Sequence, residues 1–310
     1  KPTLAEIAQL KPNSTLIAPF YALQNPELIN ALNAKKITVF ALEMIPRIAR
    51  AQSMDILSSQ SSLAGYKSVL MAANIIGKLF PMMTTAAGTI PPAKVIVIGA
   101  GVAGLQAIAT ARRLGAVVIA SDTRPAAGEQ VKSLGADFVS LEVSHEQSQD
   151  SQGYAKEQTA EFYRQEQEIL QNYLPQADVV ITTALIPGKR APLLITEAMV
   201  QAMKPGSVIV DLASEQSGNC ALTTPNEITE KFGVTIVGTL NLPSLVAVHA
   251  SQLFAKNILS FINYIAPAFE NGAYDMDDEL IKGCLICRNG EIVHPAIKAA
   301  LSTQGSTHVA

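Results

Sequence analysis

The sequence predicts an α/β protein of two lobes, each a doubly wound, largely parallel sheet covered by helices. Three observations carry this. Strands and helices alternate along most of the chain, the strands are short unbroken apolar runs, and a glycine triplet stands where one strand hands over to a helix. Alternation implies right-handed crossovers and parallel pairing, and continuous apolar strands belong to sheets covered on both faces. With 310 residues, 48% of them hydrophobic, the chain can bury a large core and exceeds the usual single domain.

In chain order, Ser14 to Pro19 reads as a strand, Asn25 to Ala34 as a helix and Ile37 to Leu42 as a second strand. A polar segment from Arg47 to Ser62 precedes a helical pattern through Leu63, Val69, Leu70, Ala73 and Ile76 that ends before Pro81. Such a helix connects two lobes. From Lys94 the alternation becomes regular. Strands are expected at Val95 to Ile98, Val117 to Ala120, Asp137 to Leu141, Asp178 to Thr182, Ser207 to Leu212 and Thr235 to Val237. Helices are expected at Val102 to Leu114, Ala126 to Leu134, Lys156 to Tyr173 and Pro192 to Met203. A last long helix from Leu245 to Ile265 returns to the first lobe, and a strand pair spans Cys284 to Val293. The expected division is therefore 1–60 with 246–310 as a discontinuous first lobe, and 61–245 as the second.

Composition narrows the function. Lys and Arg total 23 against 26 Asp and Glu, too even a balance for the basic footprint of a nucleic-acid binder. No apolar run of about 18 residues is uninterrupted, since Lys67 and Lys78 bracket one stretch and Ser251, Lys256 and Asn257 punctuate another. No membrane span is expected, and the chain should be soluble by itself. A mean hydropathy of +0.24 is high for a monomer and points to apolar surface covered by another copy or subunit. Three cysteines make no disulfide scaffold. Cys284 and Cys287 have the spacing of a metal or redox pair, but no second ligand pair is nearby, and ordinary half-buried cysteines are the expectation, with no metal site.

The stretch Lys94-Val-Ile-Val-Ile-Gly99-Ala-Gly101-Val102-Ala103-Gly104 gives each glycine a task. Gly99 makes the tight turn, Gly101 admits a pyrophosphate to the backbone, and Gly104 lets the helix pack on the strand. The helix N-terminus offers free N–H groups and its positive dipole end. The next strand ends in Ser121-Asp122, near the separation of about 20 residues at which an acidic group meets the adenosine ribose. This is the Rossmann fingerprint, and Asp122 repels a 2′-phosphate, favouring NAD(H), with Thr123 beside it and Arg124 softening the discrimination.

The second polar constellation is Pro46-Arg47-Ile-Ala-Arg50-Ala-Gln52-Ser-Met-Asp55-Ile-Leu-Ser58. A cation, an amide and a carboxylate can together hold a carboxamide and ribose hydroxyls, although from spacing alone a solvated loop or helix face is the plainer reading. This segment, the Gly99 turn, Gly153-Tyr154-Ala155-Lys156-Glu157, and the run from Ile181 through Thr183, Ala184 and Leu185 to Lys189 together resemble the NAD(H)-binding component of proton-translocating nicotinamide nucleotide transhydrogenase, from about Ser14 to Pro295. The resemblance implies that Arg47, Gln52 and Asp55 sit beside the nicotinamide, that Ser58 borders the same pocket, and that Tyr154 lies on a mobile loop closing over the nucleotide. It implies a homodimer docked on an NADP(H)-binding component and a membrane domain, peripheral on the cytoplasmic or equivalent face. The implied reaction is direct hydride transfer between NADH and NADP⁺, coupled elsewhere to proton passage. Both partners being nicotinamides, no acid or base is required; the task is to hold two ring carbons roughly 3–3.5 Å apart. None of His145, His249, His294 and His308 is assigned such a role. The family's opening residues are missing before Lys1, so the first lobe is expected to lack its N-terminal part.

Two rival readings share the fold. An alanine dehydrogenase needs an acid/base and a cationic anchor for the substrate carboxylate. The stretch Leu16 to Leu23 lacks the histidine of those enzymes, and Tyr66, where they carry an Arg, follows Ala64-Gly65. A non-catalytic NAD(H) redox sensor would keep Gly99 and Asp122 but has little use for Arg47, Gln52 and Asp55 together.

Overall fold

In the computed structural model, residues 1–140, 158–186, 190–269 and 274–305 are described. They fall into two compact units: residues 1–59 with 251–310, and residues 60–250.

The first unit opens with α1 (Leu4–Gln9), whose start is fixed by a capping box between Thr3 and Glu6. Next come β1 (Thr15–Ala18), α2 (Pro26–Ala34) with proline in its first turn, and β2 (Thr38–Ala41). β1 and β2 pair in parallel, Thr15 opposite Thr38, as a strand–helix–strand unit requires. α3 (Ile56–Ile75) begins in this unit and ends in the second. It starts at Ile56 rather than at Leu63 because Asp55 caps it, accepting the Ser58 N–H at 2.9 Å and the Ser58 hydroxyl at 2.6 Å. The serines that suggested a loop lie inside the helix; the Ser59 hydroxyl returns to the Ile56 carbonyl at 3.1 Å.

The second unit adds the hairpin of β3 (Met83–Thr85) and β4 (Gly88–Ile90), then β5 (Lys94–Ile98), α4 (Val102–Arg113), β6 (Val117–Asp122), α5 (Ala127–Ser133) and β7 (Asp137–Ser140). α6 (Ala160–Gln171), β8 (Val179–Thr182), α7 (Glu197–Gln201), β9 (Val208–Asp211), β10 (Ile228–Lys231) and β11 (Val234–Val237) complete it. The helix expected over Pro192 to Met203 shrinks to Glu197–Gln201. Leu194 and Ile195 instead donate their N–H groups to the Asn219 carbonyl at 2.8 and 2.9 Å, and the Thr196 hydroxyl caps the helix that follows. Seven strands run in the order β10-β11-β9-β8-β5-β6-β7, parallel except for β10. β5 lies between β6 and β8, so its two neighbours are reached in opposite directions. The crevice beyond its C-terminal end is the topological switch point of an open α/β sheet, where such sheets bind ligands.

The chain then enters α8 (Ala247–Phe269), α9 (Glu279–Cys284), β12 (Leu285–Arg288), β13 (Glu291–Ile292) and α10 (Pro295–Gly305). β12 pairs antiparallel with β2 and with β13, which makes the first unit's sheet mixed, in the order β1-β2-β12-β13. Asn289 and Gly290, both at positive φ (54° and 81°), form the hairpin turn. Cys284 and Cys287 are buried in two different apolar clusters of this unit, the first with Phe261 and Ile265, the second with Val39 and Ile286.

One expectation is corrected. Residues 242–269 are long and apolar enough, by length and composition, to cross a membrane: their mean hydropathy reaches 1.3 over a stretch of 18 residues, of which 11% is buried. Ser251, Lys256 and Asn257 are diluted by the alanine, leucine, isoleucine and phenylalanine around them. Val248 and Leu259, on this helix, are 78% and 57% exposed.

Candidate functional site

The second unit brings the glycine turn, the end of β6 and the segment after β8 to one end of its sheet. Gly99 follows β5 with φ +97°, and its N–H bonds to the Ser121 carbonyl at 2.8 Å. A Cβ at Gly104 would lie 1.8 Å from the Gly99 carbonyl oxygen, and one at Gly99 would lie 2.5 Å from the Thr183 hydroxyl. The turn, the helix and the segment after β8 are therefore packed backbone to backbone. The Thr183 hydroxyl closes the cluster by donating to the Gly99 carbonyl at 3.0 Å. Gly101 differs: a Cβ there would meet nothing within 4 Å. Its neighbourhood is open, as a backbone that must admit a phosphate requires, and Val102 and Ala103 form the first turn of α4 beside it. Gly65, on α3, permits a similarly close approach to the Ala103 carbonyl, 2.0 Å from a Cβ built there. These residues fit a dinucleotide's pyrophosphate.

Asp122 ends β6 with its side chain 6% exposed. Oδ2 accepts the Ala100 N–H at 2.7 Å and Arg124 Nη2 at 2.9 Å; Oδ1 accepts the Arg124 N–H and Nε, both at 2.8 Å. Hydrogen bonding to this carboxylate holds the Arg124 guanidinium above its ordinary pKa, against the opposing effect of burial. Thr123 is half-buried between the two. On α6, Glu166 is 3% exposed, with no hydrogen-bond partner for Oε2. Burial pushes its carboxyl up to about 8, and the negative charge of Asp122 acts in the same direction.

Ala184 is clasped by Asn219, whose side chain accepts the Ala184 N–H at 3.1 Å and donates to the Ala184 and Pro192 carbonyls at 2.9 and 2.8 Å. The Asn219 N–H in turn bonds to Asp211, a fully buried carboxylate that also receives Thr182, Ala213, Cys220 and Thr223. Leu185, the next residue, is 38% exposed. Sequence reasoning missed Asp211 and Asn219 because neither lies in a spaced motif; each acts through backbone groups distant in sequence. Tyr154, with the rest of Gly153 to Glu157, and residues 187–189 lie outside the described residues.

In the first unit, Arg47 Nε stands 4.0 Å from Asp55 Oδ2, and Asp55 holds Ser58 at the start of α3. Gln52 lies on the 3₁₀ turn between them (Ala49–Met54) and is exposed. This segment is anchored by residues that no motif announced. Arg50 donates to Asp278 at 2.5 Å and to the Tyr264 hydroxyl at 2.9 Å, and Tyr264 itself donates to Asp278. Burial acts to raise the Asp278 carboxyl, but the bonds from Tyr264 and the Leu280 N–H, with the Arg50 charge, leave it below the usual range. Asn257, on α8, donates to the Ser53 carbonyl at 2.8 Å and accepts the Ser59 hydroxyl at 2.7 Å. A Cβ at Gly283 would come within 2.9 Å of the Pro46 ring, so glycine there lets α9 close on the segment.

The three thiols are chemically quiet. Burial raises all of them, Cys220 to about 11 and Cys287 to about 12. Among the described residues no group of three or more His, Cys, Asp or Glu is arranged to hold a metal ion.

Residues 1–64 match the N-terminal domain of the alanine dehydrogenase/PNT family and residues 68–295 its C-terminal domain. The chain belongs to that family. The first of the polypeptides that make up the NAD(P) transhydrogenase alpha subunit of Rhodospirillum rubrum is 52% identical over 94% of this chain and 77% of its own length. The alanine dehydrogenase of Methanococcus maripaludis is 29% identical over 97% of this chain and 76% of its own. Among solved structures, transhydrogenase from Sinorhizobium meliloti superposes with a TM-score of 0.81 at 44% identity, covering 96% of this chain and 78% of that one. An L-alanine dehydrogenase superposes with 0.79 at 25% identity, covering 97% and 79%. Both members of the alanine dehydrogenase/PNT family thus share the fold, with the sequence much nearer to transhydrogenase.

Proposed function

We propose that this chain is the NAD(H)-binding component of a proton-translocating transhydrogenase, handing a hydride to NADP⁺ held by a separate component. The observation that carries the reading is the turn at Gly99, Gly101 and Gly104 with Asp122, in a chain 52% identical to a transhydrogenase alpha subunit and 29% identical to an alanine dehydrogenase. When bound, NADH supplies the hydride. The α4 N-terminus holds the pyrophosphate, Asp122 the adenosine ribose, and Thr183 and Ala184 the wall beside the turn. Arg47, Gln52 and Asp55 aim the nicotinamide, with Ser58 holding Asp55 and Tyr154 belonging to the loop that excludes water. Proton coupling belongs to the membrane domain that this component docks against. A second copy of the chain covers apolar surface such as Val248 and Leu259, giving a homodimer peripheral to that membrane.

Mixing the purified chain with an NADP(H)-binding component and following reduction of an NAD analogue by NADPH tests the reading. Turnover is expected. No turnover, with alanine-dependent reduction of NAD⁺ instead, would assign the chain to the dehydrogenase branch.

A further inference from the structure

An ionised carboxylate offers about four hydrogen-bonding positions, and at Asp122 four donors already occupy them: two backbone N–H groups, of Ala100 and Arg124, and the Nε and Nη2 of the Arg124 guanidinium. The two kinds of donor differ in freedom. The Ala100 N–H belongs to the glycine turn and the Arg124 N–H to the chain leaving β6, so both stay wherever the backbone stays. The guanidinium is carried on a flexible stem, its side chain 20% exposed against 6% for Asp122, and can swing away.

A ribose approaching Asp122 brings two donors, the vicinal 2′- and 3′-hydroxyls. With both backbone donors in place, the positions open to those hydroxyls are one on Oδ1 and one on Oδ2, and these are the positions that the Arg124 fork holds. We infer that Arg124 is an internal stand-in for the ribose diol, latching Asp122 in the empty site and exchanging one pair of donors for the other when a nucleotide binds. This deepens the proposed function and rests on its assignment of Asp122 to the adenosine ribose.

Two consequences follow. Breaking a charge-assisted, two-pronged pair offsets much of what the diol gains, so the adenosine end is held less tightly than its buried carboxylate would otherwise allow. The exchange also needs both hydroxyls. A ribose phosphorylated at the 2′ position has lost one donor and cannot replace the fork, so Arg124 sharpens the preference for an unphosphorylated ribose through competition, where its charge alone would soften it.

The experiment compares the affinities of AMP and 2′,3′-dideoxy-AMP, titrated into the full chain and followed by NMR shifts, for the wild type, Arg124→Met, Arg124→Lys and Asp122→Asn. Dividing one affinity by the other cancels any general change in attraction for the phosphate, and melting curves report whether each variant is folded. The AMP preference is expected to rise about tenfold in Arg124→Met, where the competing fork is gone, to rise less in Arg124→Lys, which keeps the charge and loses the fork, and to collapse in Asp122→Asn. A preference unchanged or lowered in Arg124→Met, together with its collapse in Asp122→Asn, would overturn the latch and leave the ribose assignment standing. A preference indifferent to Asp122 as well would remove the ribose assignment on which the latch rests, whereas the transhydrogenase reading answers separately to the hydride-transfer assay.

Discussion

Around the turn after β5 the candidate residues are locked by one another: Gly104 against the Gly99 carbonyl, Thr183 against Gly99, Asp122 under four donors, Ala184 inside the clasp of Asn219. The polar segment of the first unit is held differently. Its backbone is pinned through Arg50, Asn257 and Pro46, yet the groups assigned to the ring keep freedom, Arg47 standing 4.0 Å from Asp55 and Gln52 exposed. The difference separates two tasks. A site for phosphates and ribose gains from rigid backbone, because its ligand is invariant. Groups that aim a ring toward a second nucleotide gain from a fixed base with movable tips, because the reacting geometry is completed only when the partner arrives.

The hardest test of the rigid half sets two glycines against each other. Gly104→Ala places a methyl where a backbone oxygen already stands, so the variant is expected to lose NADH binding by at least about a hundredfold and to melt several degrees lower. Gly101→Ala places its methyl in open space, so melting should be unchanged while NADH binding is lost to a similar extent. Calorimetric titration with parallel melting curves checks both. Equal melting losses in the two variants would erase the distinction between packing glycine and ligand-facing glycine.

The movable half predicts the opposite split. Arg47→Ala or Gln52→Ala is expected to slow hydride transfer about a hundredfold while NADH affinity falls only a few-fold, since the adenosine half is held elsewhere. Stopped-flow transfer rates beside equilibrium titrations read this directly. Equal losses in rate and affinity would make these residues anchors, and the contrast between the two regions would fail.

The pH dependence sharpens the buried side of the comparison. Glu166 keeps its proton up to about 8 in the folded chain, whereas in the unfolded chain it ionises near 4.5. Between those values the unfolded state alone releases the proton, so this group favours unfolding increasingly as pH rises from 4.5 and levels off above about 8. Glu166→Gln stays neutral throughout. Its melting temperature relative to wild type is expected to rise by several degrees across that window and to stay flat on either side. A difference independent of pH would mean that Glu166 is charged in the fold.

The same contrast explains what can be read from residues alone. The β5 turn is legible because its glycines and Asp122 have a spacing set by strand, turn and helix geometry. The strands of the seven-stranded sheet are legible as unbroken apolar runs, except β10, whose Ile228-Thr-Glu-Lys231 is largely exposed. The start of α3 is hidden because Asp55 and three of the serines after it read as loop until one carboxylate is seen to cap the helix. Asp211, Asn219, Asn257 and Asp278 are invisible, since each is defined by backbone groups or side chains brought to it by the fold.

The smallest effect is expected at the junction where positioning and folding share a residue. Ser58 gives Asp55 two bonds, a backbone N–H that caps α3 and a hydroxyl. Ser58→Ala removes the hydroxyl and keeps the cap, so stability should fall by no more than about 1 kcal/mol, while Asp55→Ala, which removes the cap as well, should cost about 1–2 kcal/mol. If the hydroxyl serves to hold the Asp55 carboxylate toward the ring, Ser58→Ala also lowers the hydride-transfer rate, by a factor well short of that for Arg47→Ala, with NADH affinity unchanged. A rate equal to wild type would confine Ser58 to the helix start. A rate loss as large as that of Arg47→Ala would put its hydroxyl in direct contact with the nucleotide, because a group acting only through Asp55 cannot cost more than the misalignment it allows.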